Sequence, residues 1–289
     1  MNRVELIDLA NVSQEDLRQW QLKLLEILVR FKEFCEEHNL RFYLSYGTMI
    51  GSVRHGGFIP WDDDVDVSMP REDYEKLYNL WKSDPKNTDF SCCKTQKGNC
   101  IYFPMTLIRH NNTTCVYEHS KDFDICHGMK IDVDFLDGVP SSRILQIKQK
   151  FFARLYGLFV TQRVPNLASK LVRFIAWSLL KIIRSNKMRD KIWMYSEKQM
   201  KKYHFKDCDY VRYMGSPISK REWYDDVVYF DFEGYKMPVP IGYDIILRRE
   251  YGDYMQYPPV DKRKPITKVV FYDLNNSYKK YKGKYYCEK

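Results

Sequence analysis

No run in this 289-residue chain is apolar for long enough to cross a membrane. The most apolar window, Leu171 to Ile183, is broken by Arg173 and Lys181 and falls short of the roughly 20 residues a spanning helix needs. Near the start, Glu5, Asp8, Glu15 and Asp16 interrupt any apolar stretch, so no secretory leader is expected there. Without one, the eight cysteines are expected as reduced thiols in a cytoplasm-like compartment. Cys92, Cys93, Cys100, Cys115 and Cys126 crowd together, yet they lack the two-to-four-residue gaps of zinc motifs. Buried free thiols are the expectation, with a zinc site as the alternative. There is no internal repeat and no low-complexity stretch except the Tyr/Lys run Ser277 to Tyr286, expected to be a mobile tail. What the chain does have is 44% hydrophobic residues, enough for a large core, which excludes a disordered chain or a small stapled scaffold.

Acid is scarce in one place. From Arg143 to Lys206 there are 16 Lys/Arg against Asp190 and Glu197, a local +14, while the rest of the chain holds 31 basic and 36 acidic residues. The formal net charge of +9 is therefore the property of one segment. Its cations alternate with Phe151, Phe152, Leu155, Tyr156, Leu158 and Phe159, then with Leu171, Phe174, Ile175, Trp177, Leu179 and Leu180. A basic face beside an apolar face at near-helical spacing suits a helix lying in an anionic membrane interface. The alternatives are a helical layer packed on the core with a solvated basic face and a groove for nucleic-acid phosphates. The membrane surface leads, and nucleic acid is not an expected partner.

Ser13 followed by Glu15 and Asp16 reads as a helix start, and Leu17, Trp20, Leu24, Leu28, Phe31 and Phe34 recur at helical spacing to about His38. Phe42 to Tyr46 reads as a strand ending at Gly47, with a helical turn from Thr48 to Val53 and a loop from His55 to Pro60. Asp64 to Met69 alternates polar and apolar residues as a strand, and Pro70 opens a helix from Arg71 to Trp81. Ile101 to Arg109, Thr113 to Glu118 and Met129 to Phe135 are further strands, closed by a turn at Asp137 to Pro140. After the basic helical block come a hairpin, Val227 to Phe232 and Tyr235 to Val239 across Glu233-Gly234, and a helix from Tyr243 to Tyr251.

The densest chemistry is Asp62-Asp63-Asp64-Val65-Asp66. Carboxylates kept this close in a folded protein call for a cation between them. Asp64 and Asp66 share one face of their strand, and two oxygen ligands on one face suit Mg²⁺ or Mn²⁺. Ile131-Asp132-Val133-Asp134 supplies a third carboxylate from a second strand. The blander readings are a solvated acidic loop or a calcium site, but the EF-hand spacing is missing. Upstream, Gly47, Thr48 and Gly51 stand where a strand gives way to a helix, so that backbone N–H groups are free to meet phosphate oxygens. The order phosphate turn, Asp-x-Asp, later Asp is that of the nucleotidyltransferase fold.

At these residues the chain resembles a known family. Tyr43 to Tyr74, YLSYGTMIGSVRHGGFIPWDDDVDVSMPREDY, is similar to the signature of the LicD family of phosphocholine transferases, which also includes the fukutin-related sugar-phosphate transferases. Lys130 to Val133, Leu136 to Pro140, Pro238 to Pro240 and Tyr251 to Met255 agree with it, and the basic block is the part least like the family. The resemblance implies that Asp64, Asp66 and Asp132 are catalytic and hold metal ions, a pair of Mg²⁺ or Mn²⁺. It implies that Gly47, Thr48 and Gly51 meet the donor phosphates and that Arg54 and His55 approach the pyrophosphate or order the loop. Asp134 stands where the family has an apolar residue, so it is an additional candidate ligand, and either Asp132 or Asp134 would take a proton. Trp61 and Asp63 complete the expected substrate site, Trp61 as an aromatic face for a choline head or equally as an aromatic plug beneath the acidic loop.

The expected fold is α/β (α+β): a nucleotidyltransferase-like mixed sheet with flanking helices and an inserted basic helical layer. Residues 1–140 form the catalytic core, 141–206 the basic region for membrane or acceptor docking, and 207–289 a C-terminal hairpin and helix completing the domain. The expected activity is metal-dependent transfer of a phospho-alcohol, phosphocholine first, from a CDP-linked donor to a hydroxyl of a cell-surface glycan or its lipid-linked precursor, on the inner face of the cytoplasmic membrane. The alternatives are a nucleotidyltransferase of the same fold acting on a sugar phosphate, and a membrane-surface or nucleic-acid binding module. The binding-module reading gives no reason for clustered aspartates on two strands.

Overall fold

The Ser13 hydroxyl accepts a hydrogen bond from Asp16 N at 3.0 Å, and behind that cap α1 (Gln14–Glu37) buries Trp20, Leu24, Ile27, Leu28, Phe31 and Phe34 on one face. The structure is a computed structural model and describes residues 6–166 and 168–288. In chain order the first strands are β1 (Ile7–Asp8), β2 (Tyr43–Leu44), β3 (Asp66–Pro70), β4 (Phe90–Cys93), β5 (Thr106–His110), β6 (Thr114–Val116) and β7 (Met129–Val139). Helix α2 (Tyr46–His55) joins β2 to β3, and α3 (Arg71–Ser83) follows β3.

The central sheet runs β2-β3-β7-β5-β4. Its β3–β7 pair is parallel, and the β2–β3, β5–β7 and β4–β5 pairs are antiparallel. A mixed α/β architecture is thus the observed one. In β3, Val67 and Met69 alternate with Asp66 and Ser68, and in β7 Val133 and Phe135 alternate with Asp132 and Asp134; the apolar set is fully buried. Period-two alternation therefore separates a hydrophobic face from an acidic one.

Three helices follow: α4 (Arg143–Thr161), α5 (Lys170–Ile182) and α6 (Asn186–Met200). α4 and α6 pack side by side, Phe152 meeting Tyr195 and Tyr156 meeting Trp193. The chain then returns to the sheet as β8 (Tyr210–Arg212), antiparallel to the far end of β7, with β9 (Ser219–Lys220) beside it. The hairpin β10 (Val227–Phe232) and β11 (Tyr235–Pro240) turns at Glu233 and Gly234, both at positive φ, as a two-residue turn matched to strand twist requires. Helix α7 (Tyr243–Tyr251) follows as expected. β12 (Lys268–Val269) pairs with β1, and β13 (Phe271–Asp273) pairs with β6. One buried cluster runs from Leu9 to Val269 and draws Phe135, Phe159, Val211 and Phe232 together.

Three expectations are corrected and one strand is added. The strand expected over Ile101 to Arg109 begins only at Thr106, because Tyr102 is left-handed and Pro104 lacks a ladder donor. β4 was not anticipated; it exists by pairing with β5, a tertiary effect that outweighs its unremarkable FSCC sequence. The turn expected at Asp137 to Pro140 is instead the end of β7, and a Cβ on Gly138 would lie 2.4 Å from the His204 carbonyl, so this glycine serves close packing. The Tyr/Lys segment is folded: Tyr278, Tyr281, Tyr285 and Tyr286 pack around Val116 and Val270.

Candidate functional site

Alternation along the extended chain places Asp62, Asp64 and Asp66 on one side and Asp63 on the other. Asp66 stands opposite Asp132 in the parallel ladder and Ser68 opposite Asp134, and Asp132 N donates to Val65 O at 2.9 Å. The topology therefore gathers Asp64, Asp66, Asp132 and Asp134 as the sequence suggests, and adds Asp62. Lys130 faces this acid group, its Nζ donating to Asp132 Oδ1 at 2.5 Å.

Burial, reinforced by Asp64, pushes Asp62 up to about 8. Burial and then Asp63 raise Asp64 to about 6, against the pull of Lys130. Asp66 is raised well above the usual carboxylate range by burial and by Asp64, Asp132 and Asp134. Burial followed by Asp132 takes Asp134 to about 8. Asp62 Oδ2 and Asp134 Oδ1 are buried without a hydrogen-bond partner. Mutually repelling buried carboxylates with orphaned oxygens fit a hard divalent cation. One oxygen from each of Asp62, Asp63 and Asp64 lies within 4.8 Å of the other two, and among the described residues Asp66, Asp132 and Asp134 belong to no group of three that converges so closely.

The sign of the linkage follows. A carboxylate whose folded pKa is raised favours its protonated form in the fold, so the stability it contributes is complete below about pH 4 and is lost as pH rises toward about 8. The metal-free protein is expected to lose thermal stability between pH 5 and pH 8. Millimolar Mg²⁺ or Mn²⁺ should restore it at pH 8 by binding the folded state. Thermal melts at both pH values, with and without the ion, check this; a stability that the ions leave unchanged at pH 8 contradicts it.

The turn before α2 abuts the acid group. Tyr46 adopts a left-handed φ of 48°, an uncommon conformation for a bulky residue. The Ser45 hydroxyl donates to Ser68 Oγ at 2.9 Å, and Asp66 N donates to Thr48 Oγ1 at 3.0 Å, tying the first turn of α2 to the acidic strand. A Cβ on Gly47 would stand 3.0 Å from Asp62 Oδ2, so this backbone passes directly over the carboxylates. A Cβ on Gly51 would come 2.5 Å from Gly57 O, which makes Gly51 the packing contact of the 55–60 loop.

Arg54 is held by the far end of the chain: its guanidinium donates to the carbonyls of Tyr254 and Gln256 and lies 4.9 Å from the Tyr257 ring. Its Nε is 2.9 Å from His55 Nε2, and burial, then the Arg54 charge, hold His55 below its usual value. Trp61 leans on Tyr257 at 6.1 Å, and Arg263 lies over both rings. Asp63 accepts with Oδ2 from Ile266 N at 2.9 Å and Thr267 N at 2.8 Å, while an oxygen of its carboxylate still lies within 4.8 Å of those of Asp62 and Asp64. Arg54, His55, Trp61 and Asp63 thus stitch residues 254–267 against the acidic loop.

Two features lay beyond the sequence reading. Asp62 was passed over although the period-two rule that paired Asp64 with Asp66 also includes it. The second is a cavity of about 420 Å³ that continues past Ser68, walled by Tyr46, Tyr213, Tyr224 and Tyr251 together with Arg212, Arg249 and Glu250. The Tyr46 and Tyr213 phenols flank Asp134, and Tyr251 feels the charges of Asp66, Asp62 and Asp64. Its walls come from β2, β8 and α7, so only the fold reveals it. All eight cysteines are free, and among the described residues none belongs to a group of three converging ligand atoms.

Comparison with known proteins agrees with this geometry. Residues 39–123 match the LicD/FKTN/FKRP nucleotidyltransferase domain. The lipopolysaccharide cholinephosphotransferase LicD of Haemophilus influenzae is 29% identical over 269 residues, covering 86% of this chain and 95% of that protein. An uncharacterised protein of Rickettsia prowazekii is 30% identical over 38% of this chain and 50% of its own length. The mannosyltransferase regulator 4 of Saccharomyces cerevisiae is 33% identical over 41% of this chain but only 10% of itself. The domain match covers the turn, the acidic strand and the helices that flank that strand, the likeness to the Haemophilus transferase runs over most of both chains, and the chain is therefore similar to the LicD family of transferases.

Proposed function

We propose that this protein moves a phospho-alcohol group, phosphocholine first among the candidates, from a CDP-linked donor to a hydroxyl of a cell-surface glycan or its lipid-linked precursor, releasing CMP. The observation that carries the reading is the parallel Asp66–Asp132 register, which sets carboxylates of two strands beside the first turn of α2. The likeness to the Haemophilus cholinephosphotransferase supports the phosphocholine assignment.

In this reading Asp64, Asp66 and Asp132 hold the metal, with Asp62 and Asp134 as additional ligands. A pair of Mg²⁺ or Mn²⁺ ions there supplies charge neutralisation for the transferring and leaving phosphates. The backbone at Gly47 and Thr48 faces the donor phosphates from the positive end of α2. The acceptor oxygen forms a bond to the phosphorus bearing the alcohol, the bond from that phosphorus to the oxygen retained by CMP breaks, and Asp132 or Asp134 receives the hydroxyl proton. The cationic head lies against the π faces of Tyr46, Tyr213, Tyr224 and Tyr251 in this cavity, whose lining also holds Glu250 and the cations Arg249 and Arg212, so the aromatic faces rather than net charge select it. Trp61 is less suited to that role because Arg263 already covers its ring.

The test is CMP release from CDP-choline, CDP-ethanolamine, CDP-glycerol and CDP-ribitol with Mg²⁺ or Mn²⁺ and a glycan acceptor. Release from CDP-choline above the others is expected, with Tyr213→Ala and Tyr251→Ala raising KM for that donor about tenfold, the loss of one to two kcal/mol of cation–π binding. Pyrophosphate release from a nucleoside triphosphate, with no CMP from any CDP donor, would overturn the reading in favour of nucleotidyl transfer.

A further inference from the structure

We infer that α5 is a membrane-surface helix that seats this protein on an anionic lipid bilayer. Helix α5 is apolar on both sides. Toward the protein, Ala176 is buried and Leu179, Leu180 and Ile183 pack on the core. Away from it, Leu171 is 68% exposed, Phe174 64%, Ile175 48%, Trp177 50% and Ile182 78%. By the 3.6-residue period, Leu171, Phe174, Ile175 and Ile182 share an arc of roughly 100°, bordered by Lys170 and Lys181 and then by Trp177. A helix that is apolar nearly all round is ordinarily buried. This one leaves an apolar edge, interrupted only by Ser178, uncovered, which marks an interaction surface.

Charge selects the occupant. Residues 143–189 contain 11 Lys/Arg and no Asp or Glu. A second copy of this chain would set one such surface against another and repel. An anionic headgroup layer satisfies the cations while its acyl boundary takes the apolar edge. The detailed arrangement matches: Phe174 and Trp177 stack at 6.2 Å, and the Lys181 ammonium lies 5.9 Å from the Trp177 ring, an aromatic pair at headgroup depth with a lysine reaching back to phosphate. No described helix is long and apolar enough to span a bilayer, so α5 lies along the surface. The sequence assigned the whole segment 141–206 to docking. In the structure α4 and α6 pack against each other, α4 still leaving Ile144, Ile147 and Phe151 exposed, and α5 between them presents the aromatic pair that we assign to the contact.

This inference rests on the transferase reading only for its purpose, bringing a lipid-linked acceptor to the site; binding is measured without substrate and stands or falls by itself. The full chain is sedimented with vesicles of phosphatidylglycerol and phosphatidylcholine, and with vesicles of phosphatidylcholine alone. Binding to the anionic vesicles is expected, weakening as salt rises. Phe174→Ser/Trp177→Ser should lower it about tenfold or more at unchanged net charge. Both residues are exposed, so the variant is expected to keep the far-UV circular dichroism and the CMP release with a water-soluble acceptor. Wild-type protein that ignores anionic vesicles at low salt overturns the inference. So does a double variant that binds as the wild type does, which would leave charge on another face as the cause. A self-associated wild type that the double variant disperses would overturn it in favour of a contact between copies.

Discussion

Asp66→Asn is expected to give a folded protein that has lost transfer by about a thousandfold or more, the equivalent of the several kcal/mol that metal ions supply to a phosphoryl transition state. Asp66 is the carboxylate most crowded by others, raised by burial and then by Asp64, Asp132 and Asp134. It also begins β3, and its backbone N–H is committed to Thr48 Oγ1. Asparagine keeps the volume and that backbone bond while removing one negative charge from the cluster. Thermal stability in the absence of metal should therefore hold or rise, because a repulsion is relieved. The Mg²⁺ or Mn²⁺ dependence of the melting temperature at pH 8 should shrink with the activity. Both readouts come from the same preparation: CMP release gives the chemistry and a melt gives the fold. A variant that unfolds would make the acid cluster a structural ion site, and one that turns over normally would place the chemistry elsewhere.

The acidic half of this site was legible because its information is local. Period-two alternation and the order Gly-Thr, Asp-x-Asp, Asp-x-Asp lie within short stretches, and β3 and β7 pair so that Asp66 meets Asp132 as those stretches implied. The hairpin at Glu233-Gly234 and the helix at Tyr243–Tyr251 were legible for the same reason, a turn signal between patterned runs. The cavity beside the acids was not, since Tyr46, Tyr213 and Tyr251 meet only after the chain has left the sheet through three helices and come back. Arg54 tells the same story from the other side. By sequence it sits within the phosphate-facing loop, but the carbonyls of Tyr254 and Gln256 claim its guanidinium. Gly138 read as a turn residue, and only the approach of the His204 carbonyl explains it as strand. Long-range partners decide these positions, and no local pattern encodes them.

The largest stability effect is expected at Asp137. Arg71 Nε and Nη2 donate to its two oxygens at 2.6 and 2.9 Å, with the pair almost fully buried and the guanidinium 3.5 Å from the centre of the Phe135 ring. Asp137 also stands opposite Arg212 in the β7–β8 register, and Arg212 is itself buried with Nε and Nη2 unpartnered. One carboxylate thus answers two buried cations, one by direct bonds and one by proximity. Asp137→Ala leaves Arg212 uncompensated and Arg71 with only its longer contacts to Glu75 at 3.4 Å and Glu197 at 3.6 Å, and should cost about 3 kcal/mol, read as a shift in the denaturant midpoint. Arg71→Met/Asp137→Leu should recover much of that loss, because desolvating the ions offsets most of what their attraction returns. An Asp137→Ala protein as stable as the wild type would show the pair to be incidental. The position explains why stability is concentrated there. Asp137 lies on the strand that carries Asp132 and Asp134, Arg71 opens the helix that follows the strand carrying Asp66, and Arg212 belongs to the strand that walls the cavity. The acidic face repels itself, and the buried ion pair, with the β3–β7 ladder and the apolar face behind it, holds these three elements against that repulsion.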